Sequence, residues 1–486
     1  MKQTKTLLQA AIGAVVLFGT AFAAQAQFVP APTDGARIVC TTTLDLGKEM
    51  KFKFAGPANS IWIDLNNNGS YDAGEEATMG NNYTTYLIGS KEFTIYGDAT
   101  MMGCATSGLS KLDLQHNPLL TEIDCSHNML TALDLSKQTA LKMLDCQNNQ
   151  IAALDLTANT ALTKVQLRRN KLKELDLTPL TALTDLNCSL NELDELNVWE
   201  NHNLVSLDCS FNPLGSIDVS NNTELKTLGC EETELTELNV GANPNLEVLG
   251  CSFNELETLS VSNNTKLKTL DIAANYFTTI DLSKNLALTG LDCSFNEFKT
   301  INISNNFLLK SFDCSYNQLK TLDLSNNIML QTLWVFVNQF TEAGMGQLVN
   351  TMPTLIAPGT GTVGQFIVVD QSEASEANIC TPDHVAVAKG KKWRVYNYNG
   401  GVNEMTEFEG VPTSLAQVSA DGIVIRGGRG VVQISGLSGN EHVAVYGTGG
   451  RTFYTGTAEG SDLTVNLPAG TYVVKAGTHM TKVAVR

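Results

Sequence analysis

Nine cysteines stand on one grid: Cys104, Cys125, Cys146, Cys188, Cys209, Cys230, Cys251, Cys293 and Cys314, with every interval 21 or 42 residues. Thiols can ligate metal, form disulfides or pack as small hydrophobes. No C-x-x-C occurs, and a 21-residue interval is not zinc spacing. In-register parallel strands would hold neighbouring cysteines about 4.8 Å apart, beyond the roughly 3.5–4.5 Å between Cβ atoms that a disulfide wants. The ladder therefore reads as buried, inert thiols. Cys40 and Cys380 lie outside it. Six histidines are scattered without H-E-x-x-H, and no G-x-S-x-G is present. The recurring aspartates Asp124, Asp145, Asp208, Asp271, Asp292 and Asp313 are columns of a repeat rather than an acid/base pair, so no enzyme is expected.

A second constellation is DLNNNGSYDAGE, Asp64 to Glu75. Asp64, Asn66, Asn68, Ser70, Asp72 and Glu75 occupy alternating positions that could converge on one calcium ion. Gly69 permits the sharp turn such a loop needs. With three carboxylates, any site would be weak. The competing reading is an Asn-rich turn that matches the loop by composition.

The elements that position these residues come from the period. The unfilled grid positions hold Leu167 and Ile272, and Val335 continues the series. An apolar residue stands two before each grid position, from Met102 to Leu333. An Asn stands three after it at Asn128, Asn149, Asn170, Asn191, Asn212, Asn254, Asn275, Asn296, Asn317 and Asn338, with Ser107 and Thr233 as exceptions. A second half-repeat interleaves, as in LDLSNN at 322–327. The pattern is L-x-x-L-x-L-x-x-N with Cys in place of the third Leu. It predicts a leucine-rich repeat solenoid of in-register parallel strands over 101–340. The Asn side chains should satisfy buried turn amides of their own and the next coil.

The ends should be caps. Residues 27–100 alternate in the strand period (KFKFAG, SIWIDL, KEFTIYG) and predict a β-rich N-terminal cap. Residues 341–410 predict an α/β cap: a helix at Thr341–Met352 stopped by Pro353, strands at 364–370 and 391–399, and a helix around Asp383–Ala388. Residues 416–486 predict a small β-sandwich of six or seven short strands. Residues 1–26 read as a signal peptide: Lys2 and Lys5, the apolar run Leu7–Ala21, then Ala24-Gln25-Ala26. No later stretch is apolar for long enough to span a membrane. Of 486 residues, 50 are acidic and 32 basic, a net charge of -18 that argues against a nucleic-acid partner or an anionic membrane surface.

The 21-residue motif L-x-x-L-D-C-S-x-N resembles the internalin-J class of bacterial leucine-rich repeat proteins over about residues 93–340. That resemblance implies a surface adhesin with a host or bacterial partner. The chain departs from the Gram-positive members in having no LPxTG wall-sorting signal. The run Val445-Tyr446, Gly449-Gly450-Arg451, Leu467 to Lys475 and Lys482 to Arg486 resembles the type IX secretion sorting domain of Bacteroidetes. This second resemblance implies outer-membrane passage and a secreted or outer-surface location, with the type IX machinery as a partner.

The solvent-facing columns should carry the binding. Residues one before, one after and three before each grid position are expected to point from the concave sheet into solvent, with the residue two after at its edge. Off-pattern residues there are Arg168, Arg169, Glu231, Glu232, Trp334 and Phe336, with Phe295 and Tyr316 at the edge. They are the candidate contacts for a protein or glycan. The aromatics could instead pack on one another as a ridge. Two functions remain: an adhesin binding through the concave face, or a structural, self-associating surface or matrix protein without a foreign partner.

Overall fold

The computed structural model describes residues 28–57, 59–355, 364–401, 405–411, 417–418, 423–428, 430–447, 450–477 and 479–485. The expected signal peptide lies outside the described residues. The chain divides into two compact units, 1–151 and 152–486.

In the first unit, β1 (Arg37–Thr42), β2 (Glu49–Ala55), β3 (Trp62–Asp64), β4 (Thr84–Leu87) and β5 (Glu92–Tyr96) precede the first three rungs, β6 (Met101–Gly103), β8 (Glu122–Asp124) and β9 (Met143–Asp145). Between rungs lies β7 (Leu109–His116). Strands β3, β5, β1 and β7 form one antiparallel sheet in that order. Strand β2 pairs antiparallel with β4 on one side and with rung β6 on the other, so a sheet edge closes the first rung. Alternation in β2 buries Met50, Phe52 and Phe54.

In the second unit nine three-residue strands stack parallel and in register: β10 (Lys164–Gln166), β11 (Asp185–Asn187), β12 (Ser206–Asp208), β13 (Thr227–Gly229), β14 (Val248–Gly250), β15 (Thr269–Asp271), β16 (Gly290–Asp292), β17 (Ser311–Asp313) and β18 (Thr332–Trp334). Each strand ends one residue before its grid position and buries its central residue. All eleven cysteines are buried. Burial pushes the thiols up, Cys380 to about 12, so they stay protonated. They are more than hydrophobic filler: the Sγ of Cys209, Cys230 and Cys293 each donates to a carbonyl of the following coil at 3.4 Å.

The Asn column does what the spacing predicts, with one correction: it bridges to the preceding coil rather than the next. Asn254 Nδ2 donates to its own Cys251 carbonyl and to the Cys230 carbonyl, while its Oδ1 accepts from the amides of Thr233 and Leu235. A second Asn ladder, unread in the sequence, holds the other half-repeat. Asn222, Asn243, Asn264 and Asn285 each donate Nδ2 to two carbonyls of the preceding coil. That half-repeat forms no strand in coils from 152 to 340, so side-chain amides do the work a β-ladder would do.

After the last rung, turns give way to helices. Strands β19 (Gly364–Val369) and β20 (Trp393–Asn397) extend the parallel sheet from β18, and α1 (Glu342–Thr351) and α2 (Pro382–Gly390) are the crossovers. Thr341 and Thr381 are the N-caps. Gly344 is required where α1 crosses the coil below, because a Cβ there would collide with the Lys320 carbonyl. Strand β21 (Thr406–Glu407) pairs antiparallel with β20. The C-terminal segment forms two four-stranded antiparallel sheets. One holds β22 (Gln417–Val418), β23 (Val424–Gly428), β24 (Val431–Ser435) and β27 (Asp462–Asn466). The other holds β25 (His442–Gly447), β26 (Thr452–Thr457), β28 (Gly470–Ala476) and β29 (His479–Val485). Ile425, Val432 and Ile434 from the first meet Val443, Val474 and Val483 from the second in one core, as a sandwich requires. No helix among the described residues is long and apolar enough to cross a membrane.

Candidate functional site: the sheet face and its aromatic edge

Each rung presents three surfaces. The residue three before the grid position is half-buried or exposed, and the residue one before is half-buried in most rungs. The residue one after is buried in most rungs, contrary to expectation, as at Ser189, Ser210, Ser252, Ser294 and Ser315, and half-buried at Ala105, Gln147, Arg168 and Glu231. The cause is a local turn. Asp292 Oδ1 accepts from the Ser294 amide at 2.9 Å and its hydroxyl at 2.7 Å, and Asp313 does the same for Ser315. An Asp-x-Ser turn folds the chain inward after these strands, and Asn187 does the same for Ser189; Ser252, which follows Gly250, is buried without it.

The residue two after the grid position has positive φ in every coil. The values are 59° at Phe211, 55° at Phe253, 52° at Phe295, 50° at Tyr316 and 52° at Val337. A hydrogen bond to the next coil accompanies this geometry, as from the Phe253 amide to the Ala273 carbonyl at 2.9 Å. Glycine or asparagine would be cheaper there. Phe253 is 62% exposed and Phe295 50%.

The sequence candidates fall into separate groups. Arg169 and Glu232 are exposed at this edge, whereas Arg168 is half-buried, its Nη1 donating to Ser189 Oγ at 3.2 Å. Glu231 accepts the Ser210 hydroxyl, and a Cβ on Gly250 would strike its carboxylate, so that glycine makes room for Glu231. The two irregularities are one packing solution. Phe336 is 2% exposed and is not a free anchor. It stacks on Tyr398 at 4.5 Å and packs with Val337 and Ile367, covered by the C-terminal cap. Trp334 is half-buried between Phe336 and Tyr398, at 6.1 and 5.8 Å. Tyr316 stacks on Phe295 at 3.8 Å and meets Phe336 edge-on at 5.4 Å. Among the candidates, the structure joins Phe295, Tyr316, Trp334 and Phe336 in one aromatic cluster.

Sequence reasoning missed the electrostatics of the sheet face. Asp271, Asp292 and Asp313 are direct register partners on β15, β16 and β17. Burial raises Asp271 to about 6 and Asp313 to about 7, and the Asp292 carboxylate beside each adds to the rise. Aspartates in the other half-repeat behave oppositely: the Ser283 amide holds Asp281 below its ordinary value, and the Thr178 hydroxyl does so for Asp176. The turn chemistry is shared, and burial beside like charges makes the difference.

The candidate calcium loop is closed by its own donors. Asp64 is fully buried, and its carboxylate accepts from the amides of Asn68 and Gly69 at 3.0 and 2.8 Å. Glu75 spends its oxygens on the amides of Leu65 and Asp72, both at 2.9 Å. Asn66 and Asn68 turn their Nδ2 donors to Asp72, at 2.8 and 2.7 Å. The exposed Ser70 gives its amide to Asn68 Oδ1 at 2.7 Å. Among the described residues no group of three or more His, Cys, Asp or Glu side chains could hold a metal ion.

By sequence, no protein-family profile matches the chain and no curated protein is similar to it. By structure, the functional domain of InlJ from Listeria monocytogenes, which includes a cysteine ladder, is similar. Identity is 23%, with 79% of this chain and 90% of that one covered, and the TM-score is 0.52. The internalin InlF from Listeria monocytogenes is similar at 20% identity over 52% of this chain and 78% of that one, with a TM-score of 0.50. The fold is an internalin-like leucine-rich repeat solenoid. The cysteine ladder of this chain sits on the interior of its coils.

Proposed function

We propose that the protein is a secreted or cell-surface leucine-rich repeat adhesin that binds a protein or glycan partner through the concave sheet face and its aromatic edge. The observation that carries this reading is the edge itself. Phe211, Phe253 and Phe295 are exposed in a backbone geometry that disfavours large side chains, and exposed aromatics are what binding anchors are made of. The internalin-like fold supports a binding role without naming a partner. The test is a titration of mature protein against a captured surface partner, comparing parent with Phe253→Asn/Phe295→Asn. Asn suits positive φ, so binding should weaken while the fold holds. Equal binding by parent and variant would move the site elsewhere.

A specific observation also favours self-association. Leu286, Phe307, Leu308, Ile328 and Met329 are all exposed in the same turn of the last coils. Sedimentation of Phe307→Ser/Ile328→Ser beside parent distinguishes the readings: a concentration-dependent oligomer that the variant loses belongs to the structural role.

Export by type IX secretion, with 416–486 as sorting domain, rests on the sequence resemblance and on the sandwich that the described residues of that segment form. Deleting 416–486 should leave the protein in the periplasm; normal surface display would remove the assignment. Calcium in the Asp64–Glu75 loop is kept as a weak structural ligand only. Binding requires Asn66 and Asn68 to turn their oxygens inward, so millimolar calcium should raise the melting temperature and Asp64→Ala should abolish the rise. No shift leaves a plain turn.

A further inference from the structure

The last coils of the sheet carry charge that nothing answers. Asp271, Asp292 and Asp313 stand one strand apart, about 4.8 Å for neighbouring strands. None of them pairs with a Lys, Arg or His among the described residues. Asp292 and Asp313 give Oδ1 to the turn serines, which leaves Oδ2 for another donor.

Two buried polar atoms at the same end are also unanswered. Asp370 is 1% exposed, and its Oδ2 has no hydrogen-bond partner. It stands three residues after Ile367, the register partner of Trp334, and so continues the edge column that runs Phe295, Tyr316, Val337. Its carboxylate and that of Glu373 face Tyr316, whose hydroxyl is pushed up to about 12 by burial and by these two charges. The Trp334 indole N–H is buried without an acceptor, on the strand directly beside Asp313. Alongside stand the exposed ring of Phe253 and the stacked pair Phe295 and Tyr316, of which Phe295 is half exposed.

Resting on the concave-face reading, we propose that this strip seats an extended, cationic peptide segment of the partner, with Lys or Arg side chains lying between the carboxylates of Asp271, Asp292 and Asp313 and the rings of Phe295 and Tyr316. An ammonium or guanidinium answers both surfaces at once, by charge and by attraction to the ring faces. A polyanionic glycan would meet a row of like charges and is disfavoured.

The experiment uses the full mature chain and fluorescein-labelled nona-arginine, with nona-glutamate as the opposite probe, read by anisotropy over a salt series. The site variant is Asp271→Asn/Asp292→Asn/Asp313→Asn. Asn preserves the turn, since Asn187 Oδ1 already accepts from the Ser189 amide and hydroxyl in the same column. The control variant, Asp176→Asn/Asp218→Asn/Asp323→Asn, removes the same number of carboxylates from the other half-repeat, and both are compared at pH 8, above the raised values of Asp271 and Asp313. The site variant should bind nona-arginine about tenfold or more weakly and with a shallower salt dependence, and the control should stay within about twofold of parent. Nona-glutamate should bind none of them. Equal losses in site and control variants would mean attraction to net charge alone and would overturn the proposal, as would no loss in either. Should the site variant fail to fold, Phe295→Asn carries the test: unchanged nona-arginine binding overturns it. A surface partner whose binding survives the site variant but is lost in Phe253→Asn/Phe295→Asn would sink the cationic segment and leave the concave-face reading standing.

Discussion

At the scale of single residues, the informative positions are those where the chain accepts a cost. Phe253 holds φ at 55° with its ring 62% exposed. A non-glycine residue in the left-handed region costs about 1–2 kcal/mol. Phe253→Gly should therefore leave the fold as stable as parent or raise stability by up to about 1 kcal/mol by denaturant unfolding. A clear loss of stability would show that the ring packs rather than waits for a partner. Asp313 pays electrostatically. Its folded-state pKa is raised, to about 7, so the folded chain binds the proton more tightly than the unfolded chain does. That stabilisation is fully present below the ordinary Asp value and is lost as pH rises through about 7. Asp271 follows the same sign and loses it through about 6. The charges behind both shifts are mutual, with Asp292 between them and Glu231 also facing Asp271. Asp313→Asn should raise the melting temperature above pH 7 and leave it unchanged near pH 4. A variant less stable than parent at pH 8 would contradict the assignment.

At the scale of elements, the repeat was legible because its columns are read by counting. The grid of cysteines, the apolar residue two before it and the Asn three after it gave strand, core and ladder in one register. The second Asn ladder stands in the same register, at the last position of LDLSNN, where an Asn in a turn motif is indistinguishable by type from an exposed turn residue. The two ladders differ in what they satisfy. Asn254 serves carbonyls with Nδ2 and amides with Oδ1. Asn243 donates to the Val219 and Asn222 carbonyls, while its Oδ1 accepts nothing. Unpaired buried groups cost about 1–3 kcal/mol each. Asn254→Ala should therefore destabilise more than Asn243→Ala by about 1 kcal/mol or more, measured by urea unfolding. Equal costs would mean that Oδ1 of the first ladder contributes nothing. The turn after each strand was misjudged for a related reason. Strict alternation puts the residue after the grid position in solvent, but the Asp-x-Ser hydrogen bonds end the strand and fold that serine inward.

At the scale of the whole molecule, the period identified a leucine-rich repeat protein with β-rich and α/β ends, and those ends have the expected strands and helices. What sequence could not supply was which exposed-looking residues the caps would cover. Phe336 looked like a free aromatic on the sheet, and Tyr398, distant in sequence, stacks on it. Phe253 and Phe295, in earlier coils, stay open. The row Asp271, Asp292, Asp313 is visible in the sequence as a column, but its burial, which depends on the strands packed beside it, is not. The central claim is that this sheet face and edge form the binding surface. The most direct measurement is capture of surface proteins by the full mature chain, beside the Phe253→Asn/Phe295→Asn and Asp271→Asn/Asp292→Asn/Asp313→Asn variants, with circular dichroism on each. The expected result is a partner retained by parent and lost by both folded variants. Equal retention by all three would contradict it.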